Sequence, residues 1–214
     1  TTAKIHIYKV DKESGKAVAQ GDASLKGAVY GLYARNDIVH PDGATGVVFK
    51  AGDLVATLTT DKNGEAEVNN FYLGNYYVKE IAPSEGYLLD EEEHDVVCDY
   101  EGDLVAEVSR STTSAEQVIK QPFQLIKVSD NGDDTEAGLL AGAEFTAYLK
   151  SSLPVKADGS YDFDKATPVV IGENGATTIT SDDKGHAVSI AIPYGTYVVV
   201  ESKTPHNMKT IKPF

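Results

Sequence analysis

The stretch that decides the fold lies near the N-terminus, where residues 5–11 read IHIYKVD. Ile5, Ile7 and Lys9 fall on one side of an extended chain, and the residues between them fall on the other side. Alternation with a period of two is typical of a β-strand that turns one face toward a core. The inward side ends in a lysine, whose ammonium group is expensive to bury without a partner.

Short apolar segments of this kind recur along the chain and are separated by sequences that favour tight turns. The turn sequences are Asp42-Gly43, Asn63-Gly64, Glu101-Gly102, Asn131-Gly132, Asp158-Gly159, Asn174-Gly175 and Lys184-Gly185. No window of the sequence places apolar residues at helical spacing between capping residues. The pattern predicts an all-β sandwich or barrel with no helix beyond single turns.

One ordered set of local patterns occurs twice in the chain. The set consists of a strand with a lysine, a Leu-x-Gly-Ala turn, an Asp-to-Gly turn, a Gly-x-Tyr-x-Val-x-Glu strand and a proline. The first copy has these features at Lys9, Leu25–Ala28, Asp61–Gly64, Gly74–Glu80 and Pro83, and the second at Lys127, Leu140–Ala143, Asp182–Gly185, Gly195–Glu201 and Pro205. Matching features have a nearly constant separation, which predicts two homologous domains in tandem.

The boundary between the copies is expected at Lys120-Gln121-Pro122, after the polar run from Ser109 to Ser114. The first domain then covers residues 1–120 and the second covers residues 121–214. Strand-like segments continue after the last glutamate of the first copy, but few residues follow Glu201. We therefore expect the second domain to lack its last strands, and the chain to be a fragment of a longer array.

The net charge restricts the partners that the chain can bind. The chain has 19 Lys and Arg residues against 33 Asp and Glu residues, a formal charge of −14. Nucleic acids and anionic membranes both attract clustered positive charge, so we expect neither as a partner. The single cysteine, Cys98, excludes a disulfide framework. We find no apolar stretch long enough to insert into a membrane and no signal peptide at the N-terminus.

Residue patterns typical of enzymes and of metal sites are missing from the sequence. The chain has no Gly-rich phosphate loop, no nucleophile elbow and no paired His and Cys. The acidic run from Asp90 to Asp95 is either a cation-binding loop or a solvated loop, and the second interpretation is favoured. The five histidines lack metal-ligand spacing, so we expect no metal and no cofactor; they are His6, His40, His94, His186 and His206.

A lysine and a glutamate recur at matching places in the two copies. Lys9 and Lys127 end the inward side of their strands, and Glu80 and Glu201 follow an inward tyrosine and valine. A single residue of this kind is usually solvated at the end of a strand. Because both residue types recur in both copies, the sequence favours charged side chains that point into a core.

These combined features resemble the CnaB-type domains, also called SpaA-like domains, of Gram-positive surface proteins. In the first copy, residues 80–87 (EIAPSEGY) are very close to the motif that follows the glutamate in that family. The resemblance extends over nearly the whole chain. It implies two tandem Ig-like β-sandwich domains of the CnaB type.

The resemblance also implies a specific reaction. In such domains a lysine on the first strand and an Asn or Asp on the last strand form an isopeptide bond, assisted by a glutamate between them. This assigns the lysine role to Lys9 and Lys127 and the assisting role to Glu80 and Glu201. Burial favours the neutral forms of amines and carboxyl groups, which the reaction requires. The bond forms once per molecule, so we do not expect an enzyme with turnover.

The acceptor in the first domain does not follow the pattern of the family. No asparagine occurs between Asn75 and Asn131, and residues 111–117 (STTSAEQ) contain neither Asn nor Asp. The nearest aspartates, Asp99 and Asp103, are the candidate acceptors, although both come early for a final strand.

The second domain is expected to lack the strand that would carry an acceptor. We therefore predict no bond there, and a direct contact between Lys127 and Glu201, because two unpaired buried charges would be costly.

Two functions remain open. The first is a structural stalk or spacer of a pilin-like or adhesive protein, anchored to the bacterial cell wall through regions outside this fragment. Its partners would be neighbouring domains of the same long surface protein. The second is an adhesin module that recognises a host protein or glycan through long loops at residues 35–51 and 151–164, because loops on a rigid sandwich often carry binding. The stalk is the favoured interpretation, and both place the protein outside the cell.

Overall fold

A computed structural model describes residues 1–128, 140–204 and 211–214. These residues divide into two compact units, Thr1–Ile119 and Lys120–Phe214. Strands dominate both units, as the alternation predicts, and the helical elements among the described residues are single turns of 3₁₀ helix at Lys150–Ser152, Phe163–Lys165 and Glu173–Gly175. Within the described ranges, no helix has the length and apolar character needed to cross a membrane. The predicted turn at Asn131-Gly132, Pro205 and His206 lie outside the described residues.

Two sheets face each other in unit 1. The strands are β1 (Thr2–Asp11), β2 (Val29–Ala34), β3 (Ile38–Val39), β4 (Val47–Phe49), β5 (Leu54–Thr59), β6 (Glu65–Phe71), β7 (Gly74–Ala82), β8 (His94–Cys98) and β9 (Glu107–Glu116). One sheet has the order β6-β1-β9 and the other has the order β5-β2-β7-β8, with β3 and β4 as a separate hairpin. The apolar residues of both sheets pack into one core.

The first strand alternates as its sequence predicts. Ile5, Ile7 and Lys9 are each 0 % exposed, whereas Tyr8 on the other face is 41 % exposed. In the facing sheet, Glu80 of β7 is also buried in line with inward-facing neighbours. The apolar side chains anchor their strands to the core, and this carries the charged residue at the end of each strand inside as well.

The first and last long strands of unit 1 lie side by side. β1 and β9 pair in parallel over their whole length, from Thr2 opposite Glu107 to Asp11 opposite Glu116. The polar run from Ser109 to Ser114, which the sequence places before the domain boundary, lies inside β9. Small polar residues suit this strand because several of them face solvent, while pairing with β1 satisfies the backbone.

Unit 2 has a similar arrangement of strands, with fewer strand pairings among the described residues. Its strands are β10 (Lys120–Gln121), β11 (Gln124–Ile126), β12 (Glu144–Leu149), β13 (Thr178–Thr180), β14 (His186–Val188), β15 (Ile192–Pro193) and β16 (Tyr197–Lys203). The order β13-β12-β16 corresponds to β5-β2-β7, and β11 pairs with β14 as β1 pairs with β6. Beyond β16, Phe214 and Val199 exchange two backbone hydrogen bonds of 2.6 and 3.0 Å.

A buried hydroxyl group anchors the Leu-x-Gly-Ala turn in both units. In unit 1 the Thr60 hydroxyl accepts a 3.0 Å hydrogen bond from the Ala28 N–H and donates one of 2.6 Å to the Leu25 carbonyl. Ser181 makes the matching pair of bonds in unit 2, at 3.0 and 2.5 Å. The repeated sequence pattern is thus a repeated hydrogen-bond pattern.

Candidate cross-linking site

Lys9 and Glu116 meet in the interior of unit 1. Lys9 lies near the end of β1 and Glu116 ends β9, and their side chains are 0 % exposed. Nζ of Lys9 contacts Oε2 of Glu116, although the residues are 107 positions apart. The parallel pairing of β1 with β9 sets this contact, because Lys9 lies opposite Ser114 and Glu116 is the next inward residue along the strand.

The facing sheet contributes two further side chains to the site. Tyr30 of β2 and Glu80 of β7 lie directly opposite each other in the strand register. The Tyr30 hydroxyl donates a 2.6 Å hydrogen bond to Oε1 of Glu116. The two oxygens of Glu116 therefore have different partners, the Lys9 ammonium on Oε2 and the Tyr30 hydroxyl on Oε1.

Glu80 is held as a protonated acid at neutral pH. Burial, followed by the carboxyl group of Glu116 beside it, raises the pKa of Glu80 to about 8. The backbone N–H of Asp90 donates a 3.0 Å hydrogen bond to Oε1 of Glu80. Oε2 of Glu80 is buried and has no hydrogen-bond partner among the described residues. Because Oε1 accepts from an N–H group, the proton belongs on Oε2.

An aromatic ring and a buried aspartate surround the lysine. Nζ of Lys9 lies 4.3 Å from the centroid of the Tyr87 ring. The Tyr87 hydroxyl donates a 2.8 Å hydrogen bond to Oδ2 of Asp11, which is 0 % exposed. Tyr87 belongs to the EIAPSEGY motif, so the motif contributes to the wall of the site.

Asp90 connects Glu80 to the last two strands of the unit. Its Oδ2 accepts a 2.6 Å hydrogen bond from the Ser114 hydroxyl and lies 2.8 Å from Nε2 of His94. Burial alone would raise the pKa of Asp90, but the contacts with Ser114 and then His94 lower it. Asp90, Glu92 and His94 each bring a metal-ligand atom within 4.8 Å of the others. Oδ1 of Asp90 accepts from the Glu92 N–H at 3.0 Å, so both Asp90 oxygens already have protein partners.

The matching site of unit 2 contains a simple ion pair. Nζ of Lys127 lies 2.9 Å from Oε2 of Glu201, which is the direct contact expected from the sequence. The two residues are 7 % and 3 % exposed. A groove of about 520 Å³ borders this pair, lined by Gln124, Leu125, Ile126, Lys127, Val128, Phe145, Ile211 and Phe214.

The structure does not bring the two candidate aspartates to Lys9. Asp99 is exposed directly after β8, and Asp103 is exposed in the following loop, where the Tyr100 hydroxyl contacts it. The segment between β8 and β9 is a surface connection, so neither carboxyl group can follow the inward face of β9. The carboxyl group that does contact Lys9 belongs to Glu116, whereas the family resemblance implied an Asn or Asp at the acceptor position.

The aromatic residues of the two long loops pack within their own units. His40 lies 5.1 Å from the Tyr72 ring, and Phe163 lies 5.1 Å from Tyr148 and 6.0 Å from Tyr161. All five rings are partly buried. The loops at residues 35–51 and 151–164 therefore use these rings to cover the sandwich.

Several proteins of solved structure are similar to this chain. Among solved structures, the chain is similar to the Bacillus anthracis TIE protein, with a TM-score of 0.59 and 20 % identity, covering 100 % of this chain and 31 % of that chain. It is also similar to a streptococcal ancillary pilin, with a TM-score of 0.38 and 25 % identity, covering 100 % of this chain and 58 % of that chain. For the shaft pilin SpaA from Lactobacillus rhamnosus GG the TM-score is 0.35 and the identity 16 %, covering 100 % and 91 %.

The chain thus spans less than two thirds of the first two of these proteins. No curated protein matches the sequence. The family model of the SpaA prealbumin-like fold domain matches twice, at residues 3–112 and 121–213. Because these two matches cover nearly all of the sequence, the chain belongs to the SpaA prealbumin-like fold family and carries two of its domains.

Proposed function

We propose that the chain is a structural module of a Gram-positive cell-surface protein, and that an amide bond between Lys9 and Glu116 locks its first domain. The observation that carries the proposal is the buried contact between Lys9 and Glu116 beside Glu80, whose raised pKa keeps it protonated. An amine, a carboxyl group and a proton donor are thus assembled where water has little access.

The reaction balances as a condensation that releases one water molecule. A proton passes from the Lys9 ammonium to the Glu116 carboxylate, and the neutral amine attacks Cδ of Glu116. The Nζ–Cδ bond forms, and Oε1 carries the negative charge of the tetrahedral intermediate. Glu80 then gives its proton to Oε2 of Glu116 and takes a proton from Nζ. The bond between Cδ and Oε2 of Glu116 breaks, water leaves, and Glu80 is protonated again.

Burial favours this reaction over a stable ion pair. Two charges removed from water lose hydration, which raises the free energy of the ionic form. The amide product is neutral and keeps a carbonyl oxygen where the Tyr30 hydroxyl can donate to it. Hydrolysis would require water to enter a site whose lysine and glutamate side chains are 0 % exposed.

The position of the bond suits a load-bearing module. Lys9 lies near the end of the first strand, and Glu116 lies near the end of unit 1. When tension is applied between the two ends of the unit, a covalent bond at this point carries it directly from one strand to the other. The residues between 9 and 116 would then be bypassed, so the sandwich would keep its fold under load.

A stalk module acts through its neighbouring domains and not on a substrate. The expected partners are neighbouring domains of the same wall-anchored surface protein, and the cross-link forms once without turnover. Lys127 and Glu201 remain an unreacted ion pair. The loop aromatics that could support the adhesin alternative pack inside their own units, so the contacts support the structural role over binding of a host protein or glycan.

The test is the intact mass of the whole chain under denaturing conditions. One cross-link lowers the mass by about 18 Da, the mass of one water molecule, and digestion then yields a branched peptide that joins Lys9 to Glu116. Glu80→Gln is expected to give the unshifted mass. Glu201→Gln is the matched control in unit 2 and is expected to keep the loss. An unshifted mass for the wild-type chain would refute the cross-link.

A further inference from the structure

Tyr30 differs from its counterpart in unit 2 by a single hydroxyl group. Tyr30 lies opposite Glu80 in the register of β2 and β7, and Phe145 lies opposite Glu201 in the register of β12 and β16. Both rings are buried, with exposed fractions of 0 % and 2 %. The position therefore holds a buried aromatic ring in both units, whereas only unit 1 has a hydroxyl there.

The Tyr30 hydroxyl has a defined partner at the reacting group. It donates a 2.6 Å hydrogen bond to Oε1 of Glu116, while the Lys9 ammonium contacts Oε2. Burial, and then the charge of Glu116, raise the pKa of Tyr30 above its ordinary value. Tyr30 is therefore a neutral hydrogen-bond donor, in place before any reaction starts.

We propose that Tyr30 is a catalytic residue whose hydroxyl stabilises the oxyanion that develops on Oε1 of Glu116 when Lys9 attacks. This inference rests on the cross-linking function proposed above. A preorganised donor aimed at developing charge in a water-excluded site gains strength in the transition state, which is how oxyanion holes accelerate acyl transfer. The same hydrogen bond also selects which oxygen leaves. Oε1 becomes the amide carbonyl, and Oε2, on the side of Lys9, departs as water.

Unit 2 argues against a purely structural role for the hydroxyl. Phe145 fills the matching place at nearly full burial without any polar group. In unit 2 the Lys127 ammonium contacts Glu201, which is the counterpart of Glu80. Phe145 has no hydroxyl group that could donate a hydrogen bond to a carboxyl group. The hydroxyl is thus found in the unit where a carboxyl group from the last strand reaches the lysine.

The test compares the rate of bond formation in wild-type and Tyr30→Phe chains. The 214-residue chain is made by cell-free synthesis, translation is stopped, and samples are denatured in acid at intervals. The fraction of chains that have lost one water molecule is then read by mass spectrometry. Removal of one oxyanion donor is expected to slow the reaction about 100-fold.

Tyr76→Phe is the matched control. Tyr76 is 1 % exposed, and its hydroxyl donates a 2.5 Å hydrogen bond to the Tyr72 carbonyl, away from the reacting groups. This variant also loses a buried hydroxyl, but it is expected to cross-link at the wild-type rate. Equal slowing in both variants would show a general packing effect and overturn the role of Tyr30.

A third variant keeps the hydroxyl and its shape, and it decides the question if Tyr30→Phe fails to fold. With 3-fluorotyrosine at position 30 the hydroxyl is a stronger hydrogen-bond donor, so faster cross-linking than in the wild type is expected. A rate equal to or below the wild-type rate would overturn the inference.

The outcomes also separate the two proposals. If the wild-type chain never loses water, the cross-linking function itself fails. If the wild type reacts and Tyr30→Phe reacts equally fast, only the role of Tyr30 fails.

Discussion

The ammonium group of Lys9 contacts the carboxyl group of Glu116 where the first and last long strands of unit 1 run side by side in parallel. The contact joins residues 107 positions apart, so a covalent bond there would close nearly the whole unit into a loop. The size of that loop determines how much the bond can stabilise the fold.

Glu80→Gln is expected to lower the stability of unit 1 by about 4 to 5 kcal/mol. This is the chain-entropy estimate for losing a cross-link that closes a loop of about 100 residues. Glutamine has nearly the shape of a protonated glutamic acid, so loss of packing contributes little. Urea unfolding, monitored by hydrogen exchange of the amides in β1 and β9, measures the change in the free energy of unfolding of unit 1. A change below about 1 kcal/mol, the size of one hydrogen bond, would mean that no cross-link was lost.

The rate of bond formation is expected to fall when Glu80 ionises. Because the folded-state pKa of Glu80 lies above its ordinary value of 4.5, this group stays protonated at neutral pH and loses its proton as the pH rises through about 8. The rate is therefore level at neutral pH and drops about tenfold per pH unit above about 8. The mass-shift time course at a series of pH values measures this. An unchanged rate up to about pH 10 would contradict the role of Glu80 as acid.

Glu201→Gln is expected to destabilise unit 2 by about 3 kcal/mol, because it leaves the buried Lys127 ammonium without its counter-charge. The double variant Lys127→Met with Glu201→Gln is expected to recover most of the loss, since no buried charge remains. Hydrogen exchange in β12 and β16 reports on this unit separately. A mass loss in a peptide that contains Lys127 would show instead that the residue had reacted.

Gly64→Ala is expected to lower the free energy of unfolding of unit 1 by about 3 kcal/mol or more, because backbone strain and a steric clash add together. Gly64 has a φ of +77°, and an added Cβ would lie 2.6 Å from the carbonyl oxygen of Lys9. Gly27 is the matched control, because its φ is +93° but nothing lies within 4 Å of an added Cβ. Gly27→Ala should therefore cost only the backbone strain, about 1 to 2 kcal/mol. Equal thermal stability of the two variants would refute the close approach of Gly64 to the carbonyl oxygen of Lys9.

Local patterns in the sequence were sufficient to predict the all-β fold. The alternation that ends in Lys9 and Lys127 places both lysines on the inward face of a strand, and the structure finds both buried. Glu80 and Glu201 follow the same rule. These residues could be predicted because a period of two, continued from apolar neighbours, fixes the face on which a side chain lies.

The partner of Lys9 was decided by tertiary structure. Glu116 ends a strand whose small polar residues carry no strong apolar alternation, so the sequence did not identify its inward face or even its status as a strand. Its inward neighbours Ser114 and Val118 offered a weak signal, with a period of two around Glu116. Only the parallel register with β1 places Glu116 beside Lys9.

Sequence by itself determined the repeat, the turns and the four recurring charged residues, because each depends on neighbours within a few positions. Tertiary structure alone decided that Glu116 contacts Lys9 and that Tyr30 donates a hydrogen bond to Glu116. It also decided that the backbone N–H of Asp90 donates to Oε1 of Glu80, which leaves Oε2 for the proton. These contacts join distant segments and depend on strand pairing and sheet packing. The register between distant strands depends on the apolar faces and turns of all the strands that pack together, and the pattern of a single strand does not specify its partner.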